Sequence, residues 1–396
     1  MEYRKYRLGD LIEQYDEINE NGEFSDLDNL QGINSNKYFQ ECKSNKNDID
    51  LYRYRICRHG MFSYNRATSR NGEKISIALR TGGDCIVSPS YYCFRVKNED
   101  ILCPEYLDIW FKRPVFDRYA RFNSWGSATE FFTFDDFCAT EIMLPPVDEQ
   151  HKIVHDYQTI VDRIALLRKI NENLAEQISS IYSKWFEMYE SPYSSSDRVP
   201  SELGDIPFGW KVSELGDYIE SFSKSHSFDK EELIFLNTSD ILAGEVLKTE
   251  YMRVSDMPGQ AKKQIRKGDI LYSEIRPANK RYALVTFPAD DYVVSTKLMV
   301  LRTTQDRISN LRIYHYLTME KILEELHREA DGKSGTFPQI TFDNNLKHRK
   351  IIIADEKTEK AFHSLLKSYY SLFIKTQNEI SSLKQIQYTL LSELGR

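Results

Sequence analysis

Leu8-Gly9-Asp10 returns as Leu215-Gly216-Asp217, and Asp84-Cys85-Ile86-Val87-Ser88 returns as Asp291-Tyr292-Val293-Val294-Ser295, each 207 positions later. Arg95 and Arg302 keep the same offset, and Thr133-Phe134-Asp135 returns as Thr341-Phe342-Asp343 at 208. In a chain of 396 residues this long period means one unit written twice, so any fold has to build the same domain two times.

Each copy ends in a long helix. Residues 148–189 place Ile153, Tyr157, Ile160, Ile164, Leu167, Leu174, Ile178, Ile181 and Trp185 in steps of four and three, interrupted by Asn171. Residues 359–394 repeat the rhythm with Phe362, Leu366, Tyr369, Phe373, Ile380, Leu383, Leu390 and Leu394, interrupted by Thr376 and Gln387. This is the pattern of a coiled-coil seam, and a stretch of that length without Gly or Pro predicts a rod of roughly 60 Å. The two seams can pair with each other. Antiparallel pairing would set the two globular parts at opposite ends, related by an approximate two-fold axis. A polar residue on a seam costs stability and fixes register, which gives Asn171 a role as a register marker.

Within the first copy, residues 51–96 are strand-rich, with β-branched and aromatic runs split by turn residues. A helical stretch from Pro104 to Arg121 follows, broken near Pro114, and then a small-residue loop from Ser124 to Thr129. Leu144-Pro145-Pro146 stops a strand and launches the long helix. The second copy repeats the plan, with strands around 233–236, 269–275, 281–287 and 293–301 and a helix over 310–330. The expected fold class is α+β: two similar mixed α/β domains joined by two long helices in an antiparallel coiled coil, with pseudo-two-fold internal duplication. The expected boundaries are 1–147 for the first domain, 148–189 for the central helix and 190–208 for a Ser/Pro-rich linker. The second domain then takes 209–354 and the C-terminal helix 355–396.

Composition narrows the function. Cys42, Cys57, Cys85, Cys93, Cys103 and Cys138 contain no CxxC pair, so buried free thiols are expected and zinc is not. No apolar run reaches the roughly 18 residues of a membrane span, and the N-terminus lacks the pattern of a secretory leader, so a cytoplasmic protein is expected. The net charge of −7 disfavours phosphate binding by the chain as a whole, yet the charge is segregated. Residues 51–130 hold thirteen Lys or Arg against eight Asp or Glu, and residues 248–302 hold eleven against six. The two basic islands, one per copy, are where a nucleic acid would be met.

Signatures of catalysis are missing from the sequence. It has no GxxxxGK[ST] loop, no Gly-rich dinucleotide turn and no HExxH. The Asn/Asp-Pro-Pro-aromatic turn with which amino-group DNA methyltransferases hold a flipped base is also missing. His151 and His155 have helical spacing but no further ligands in view, so no metal is expected. The candidate DNA-binding residues are those of the basic islands and of two hydroxyl-rich loops. The first copy offers Tyr64, Asn65, Arg66, Arg70 and Lys74, with Ser127 and Thr129. The second offers Ser273, Arg276, Asn279, Lys280, Arg281 and Lys297, with Lys333, Ser334 and Thr336. Arg and Asn carry the paired donors and acceptors that read guanine and adenine, and small hydroxyl-bearing loops bring backbone N–H groups to phosphate.

Three motifs carry a family resemblance: Leu144-Pro145-Pro146-Val147-Asp148-Glu149-Gln150, Arg168-Lys169-Ile170-Asn171-Glu172-Asn173-Leu174, and Leu203-Gly204-Asp205-Ile206-Pro207-Phe208-Gly209-Trp210. Together they resemble the DNA-specificity subunit of type I restriction-modification systems over nearly the whole chain. The second helix departs from the pattern by opening with Ile353-Ala354-Asp355-Glu356-Lys357. The resemblance implies a non-catalytic subunit whose two target-recognition domains read a bipartite site in double-stranded DNA. It also implies two methyltransferase subunits docked on the helical regions, which carry S-adenosylmethionine, and motor-nuclease restriction subunits with ATP and Mg that can join. This chain itself would hold no cofactor and touch no membrane. Two other readings stand beside it. One is a stand-alone endonuclease built on Asp290-Asp291 and Lys297; the other is a coiled-coil adaptor that binds only protein, against which the basic islands argue.

Overall fold

The computed structural model describes residues 3–42, 49–68, 74–127, 129–332 and 338–394. They form two compact units, Met1–Lys169 with Gln377–Arg396, and Ile170–Thr376. Each long helix therefore contributes to both units.

The first unit is built on a four-stranded antiparallel sheet in the order Ile12–Gln14, Tyr91–Val96, Phe62–Asn65, Ile77–Leu79. A separate ladder pairs Arg4–Arg7 with Glu141–Leu144. Helices Pro104–Phe111 and Pro114–Phe122, each with Pro in its first turn where a missing N–H costs nothing, supply the aromatic side chains that fill the core. There Phe62 stacks on Phe94 at 5.0 Å, while Phe111, Phe116 and Phe137 close around them. Two smaller ladders, Gln31–Ile33 with Phe39–Glu41 and Arg55–Cys57 with Cys85–Val87, lie outside this sheet. All six cysteines are free thiols, and Cys57, Cys85, Cys93 and Cys103 are buried.

The second unit repeats the sheet as Ile219–Ser221, Leu298–Thr303, Ile270–Ser273, Tyr282–Leu284, and the ladder as Lys211–Glu214 with Lys350–Ile353. It adds a second four-stranded sheet, Met252–Arg253, Glu232–Leu236, Tyr292–Ser295, Ala261–Gln264, in which Glu232–Leu236 and Tyr292–Ser295 run parallel. The single helix expected over 310–330 is two helices, Asn310–Thr318 and Glu320–Asp331. Met319 between them is extended (ψ 136°), and the first helix is closed without a proline. Thr318 Oγ1 bonds back to the Tyr314 carbonyl at 2.9 Å, and Tyr272 Oη takes the Leu317 carbonyl at 3.1 Å.

The repeated motifs have local causes. Leu8 N donates to Thr140 O and Leu215 N to Arg349 O, each at 2.8 Å. A Cβ on Gly9 would stand 2.8 Å from Cys138 Cβ, and one on Gly216 2.6 Å from Lys347 Cγ, so Leu-Gly-Asp is the sequence that lets this strand end pack closely. Thr133 and Thr341 each cap a helical turn, accepting from Asp136 N at 3.2 Å and Asn344 N at 3.3 Å.

The first long helix is Val147–Tyr182, extended by one wider turn over Ser183–Glu187, and the second is Glu356–Glu393. In the first unit Ile164 and Leu167 pack with Ile380, and Arg163 pairs with Glu379 at 2.7 Å. In the second unit Ile178, Tyr182, Phe362, Leu366 and Tyr370 belong to the core, and Asn171 meets Thr376. Among the described residues no helix is long and apolar enough to cross a membrane.

The start of each long helix is tied to its domain by side-chain hydrogen bonds. In the first unit Gln150 Oε1 accepts from Cys103 N at 2.9 Å, while its Nε2 donates to the carbonyls of Ile101 and Pro145. In the second unit the divergent opening is a capped helix start: Asp355 Oδ1 accepts from Thr358 N at 2.9 Å and Oδ2 from Trp210 Nε1 at 2.9 Å. Glu359 takes the place of Gln150, accepting from Ala354 N at 3.0 Å and pairing with the buried Arg312.

Candidate nucleic-acid interface

In the first unit the chain segment after Phe62–Asn65 meets the loop after Pro114–Phe122. The backbone bridges are Ala67 with Phe131 and Trp125 with Phe131, and Phe132 N donates to Arg66 O at 2.9 Å. Asn65 and Arg66 are thereby brought beside the loop that carries Ser127 and Thr129. Lys74 lies at the base of the helix Pro114–Phe122, since Ile75 N donates to Asp117 Oδ1 at 3.2 Å. Arg66 is exposed and held in place, its guanidinium 5.2 Å from the Phe131 ring and 5.8 Å from that of Tyr92. The loop turns at Gly126 (φ 150°), where any Cβ would overlap the Thr129 carbonyl.

The second unit makes the same junction 208 positions later. Ile275 bridges Gln339, and Ile340 N donates to Glu274 O at 2.9 Å. Arg276 N reaches Pro338 O at 3.0 Å, and Lys297 faces Glu274 at 3.8 Å. Arg276 (φ 49°) and Lys280 (φ 53°) both adopt the left-handed region on either side of the turn Pro277–Asn279, a strain that side chains larger than Gly rarely accept. The result is an exposed Asn279, with Lys280 beside it paired to Glu320 at 2.7 Å.

Three of the expected contact residues have other work. Tyr64 is fully buried, its ring stacked on Phe137 at 4.9 Å, and burial pushes its phenol pKa far up, so it is a core residue and no duplex can reach it. Ser273 is buried in a local turn, donating to Ile275 O at 3.1 Å and accepting from Ile275 N at 3.0 Å. Arg281 donates to the carbonyls of Ser239 at 3.1 Å and Ile241 at 2.9 Å, which makes it a brace between segments. Strand periodicity alone could not separate these from their outward neighbours. Arg70, Lys333, Ser334 and Thr336 lie outside the described residues. The acidic pair offered for an endonuclease does not assemble with its lysine: Asp291 is engaged by Lys230 and Tyr251, which hold its carboxyl below the usual range, while Lys297 faces Glu274. Missing from the sequence-derived set are Arg118, Phe122 and Trp125, all exposed at this junction; a Trp in a loop of small residues was the available signal.

A family model for the type I restriction modification DNA specificity domain matches residues 4–176 and again 207–385. The chain belongs to this family. Two copies of the specificity domain thus account for the 207-residue repeat. Among curated members of the family, the chain is similar to the type I restriction enzyme HindI specificity subunit of Haemophilus influenzae, 41% identical over 152 residues. That match takes in 38% of this chain and spans only 33% of the relative's length. The MjaIX specificity subunit of Methanocaldococcus jannaschii is 23% identical over 305 residues, covering 75% of this chain and 69% of that protein. Among solved structures, the S subunit of a type I restriction-modification system from M. genitalium shares the fold, with a TM-score of 0.60 at 14% identity over 100% of this chain and 96% of the other.

Proposed function

We propose that this chain is the DNA-specificity subunit of a type I restriction-modification complex, reading a bipartite site in double-stranded DNA with one specificity domain per half. The observation that carries this reading is the recurrence of one junction in both units: Phe132 N to Arg66 O in the first and Ile340 N to Glu274 O in the second, each joining a basic-island strand end to a segment that follows the domain's helices. Domains at 1–147 and 209–354 would be the two readers. The helices at 148–189 and 355–396, with the linker 190–208 between copies, would form one antiparallel coiled coil that sets the unread gap; the pairs Arg163–Glu379 and Asn171–Thr376 favour that direction.

The chain then supplies no chemistry of its own. Methylation belongs to two methyltransferase subunits docked on the helices, which carry S-adenosylmethionine, and cleavage to ATP- and Mg-dependent restriction subunits where present. The complex would work in the cytoplasm, where the genome is. Because the chain is net acidic, partner subunits are expected to supply many of the phosphate contacts.

Exchanging residues 1–147 for those of a relative and sequencing the methylated genome tests the two-reader arrangement. One half of the motif should change and the other stay; a change in both halves, or in neither, refutes it. Inserting one heptad in each long helix should lengthen the gap and leave both half-sites as they were.

A further inference from the structure

Phe122 is 83% exposed and Trp125 72% exposed, the two most exposed large apolar side chains among the described residues. They stand at the junction that presents Arg66, and their exposure comes from a fixed backbone. Trp125 N donates to Phe131 O at 3.1 Å and Phe131 N to Trp125 O at 2.9 Å. Buried Ser124 between the two aromatics bonds the Ala120 carbonyl at 2.6 Å, and Asn123 Nδ2 bonds that of Tyr119 at 2.9 Å. With Val115 and Tyr119 also exposed on the same helix, these side chains add up to an apolar, water-facing patch on a held backbone, the kind of surface that serves in binding.

We propose that Phe122 and Trp125 form an apolar wedge that enters the base stack of the half-site read by the first unit. The inference rests on the DNA-specificity reading above and names the residues that would deform the duplex. Charge favours DNA as the occupant. Arg118 lies one turn before Phe122 on the same helix, Arg66 flanks the loop, both are exposed, and among the described residues neither is paired with a carboxylate. Cations of this kind hold phosphates on either side of an inserted side chain, as in proteins that kink DNA with Phe, Leu or Met wedges.

The duplication distinguishes a DNA face from a face for a repeated protein partner. The helix Pro114–Phe122 and its counterpart Glu320–Asp331 bury equivalent positions: Phe116, Asp117 and Ala120 in one, Ile322, Leu323 and Leu326 in the other, each 206 apart. At the intervening positions the first helix carries the exposed Val115, Tyr119 and Phe122, and the second carries the exposed Lys321 and Arg328 and the half-buried Glu325, with Lys321 paired to Glu187 and Glu325 to Arg349. A partner docking once on each domain would meet the same surface twice. A bipartite DNA site presents different bases to each domain, and here the same helical positions are buried in both copies while the residues at the remaining positions differ in chemistry, apolar in the first and charged in the second.

The test uses the full chain co-purified with its methyltransferase partner and a duplex bearing the motif found by methylome sequencing, with 2-aminopurine placed at successive positions of the half-site. Wild type should raise 2-aminopurine emission several-fold at one step, reporting unstacking. Phe122→Ala and Trp125→Ala should lose that signal and bind about tenfold more weakly each, with Trp125→Phe retaining part of both. Specific binding by wild type with no emission change at any position, and unchanged affinity in both alanine variants, overturns the wedge and leaves the DNA-specificity reading standing. No specific binding by wild type overturns the reading itself. Variants that lose the methyltransferase on gel filtration, at wild-type circular dichroism, overturn the wedge in favour of a protein-docking face.

Discussion

Thr376 donates its hydroxyl to Asn171 Oδ1 across 2.5 Å, and both side chains are buried. Asn171 is the polar interruption of the first helical seam and Thr376 one of the two in the second. Among the described residues the Asn171 amide nitrogen has no partner, and the single Thr376 proton is shared between Asn171 Oδ1 and Phe373 O, which lies 2.8 Å away, so the pair has a net cost. Asn171→Leu should therefore leave no orphan and raise unfolding stability by about 1 kcal/mol. Urea denaturation of the variant should show a higher midpoint; a lower one would mean that the amide stabilises as well as aligns.

Arg312 (1% exposed) pairs with Glu359 (6% exposed), and its guanidinium lies 3.8 Å from the Phe186 ring. Breaking one side of such a pair strands a buried charge. Glu359→Gln, which copies Gln150 of the first unit, should destabilise by roughly 3–5 kcal/mol. The double variant Arg312→Met, Glu359→Gln should recover most of that loss. Equal denaturation curves for the single and double variants would contradict the charge argument.

His315 is buried against Tyr182 and Phe362, its Nε2 lacks a partner among the described residues, and burial lowers its pKa to about 4. The folded chain keeps the ring neutral while the unfolded chain protonates below about pH 6.5. Its contribution to stability is therefore complete above that pH and is lost as pH falls towards 4. Between pH 7 and pH 5 the loss should be about 2 kcal/mol. His315→Gln should flatten this part of the stability–pH profile; a parallel profile would show that other groups set it.

Gly126→Ala should overlap the Thr129 carbonyl and open the turn that carries Ser127 and Thr129. Sequence-specific DNA binding should fall at least tenfold, with little change in thermal stability because the loop is outside the core. A large drop in the melting temperature would make the loop a structural element instead.

Arg66 and Arg281 were indistinguishable as basic-island residues and should now separate. Arg66→Ala should reduce the slope of log K against log salt by about 1, the mark of a lost phosphate contact. Arg281→Ala should leave the slope alone and lower stability, because its guanidinium bonds backbone carbonyls of Ser239 and Ile241.

The family and the duplication were legible in the sequence because both rest on short-range rules. A helix start, a threonine cap or a close Leu-Gly-Asp packing needs particular residues within a few positions, so the residues recur wherever the unit recurs. The four-three spacing likewise marks a long helix wherever it runs. The interface was less legible. Tyr64, Asn65 and Arg66 are consecutive in the chain, yet the first lies in an aromatic core, and the last is held outward by a bridge to a loop some sixty-five positions on. Alternation along a strand says that neighbours face opposite ways without saying which face is covered.

By itself, the sequence determined that one α+β unit is built twice, that each copy supplies a long helix, and that the chain belongs with DNA-specificity domains. The tertiary structure decided which members of the basic islands are available to a ligand. It placed Arg66 against Phe131, which bridges to Trp125 in the loop, and it turned Tyr64, Ser273 and Arg281 into structural residues. The reason is physical: periodicity and capping act within a few residues, whereas exposure depends on which distant segment covers a side chain.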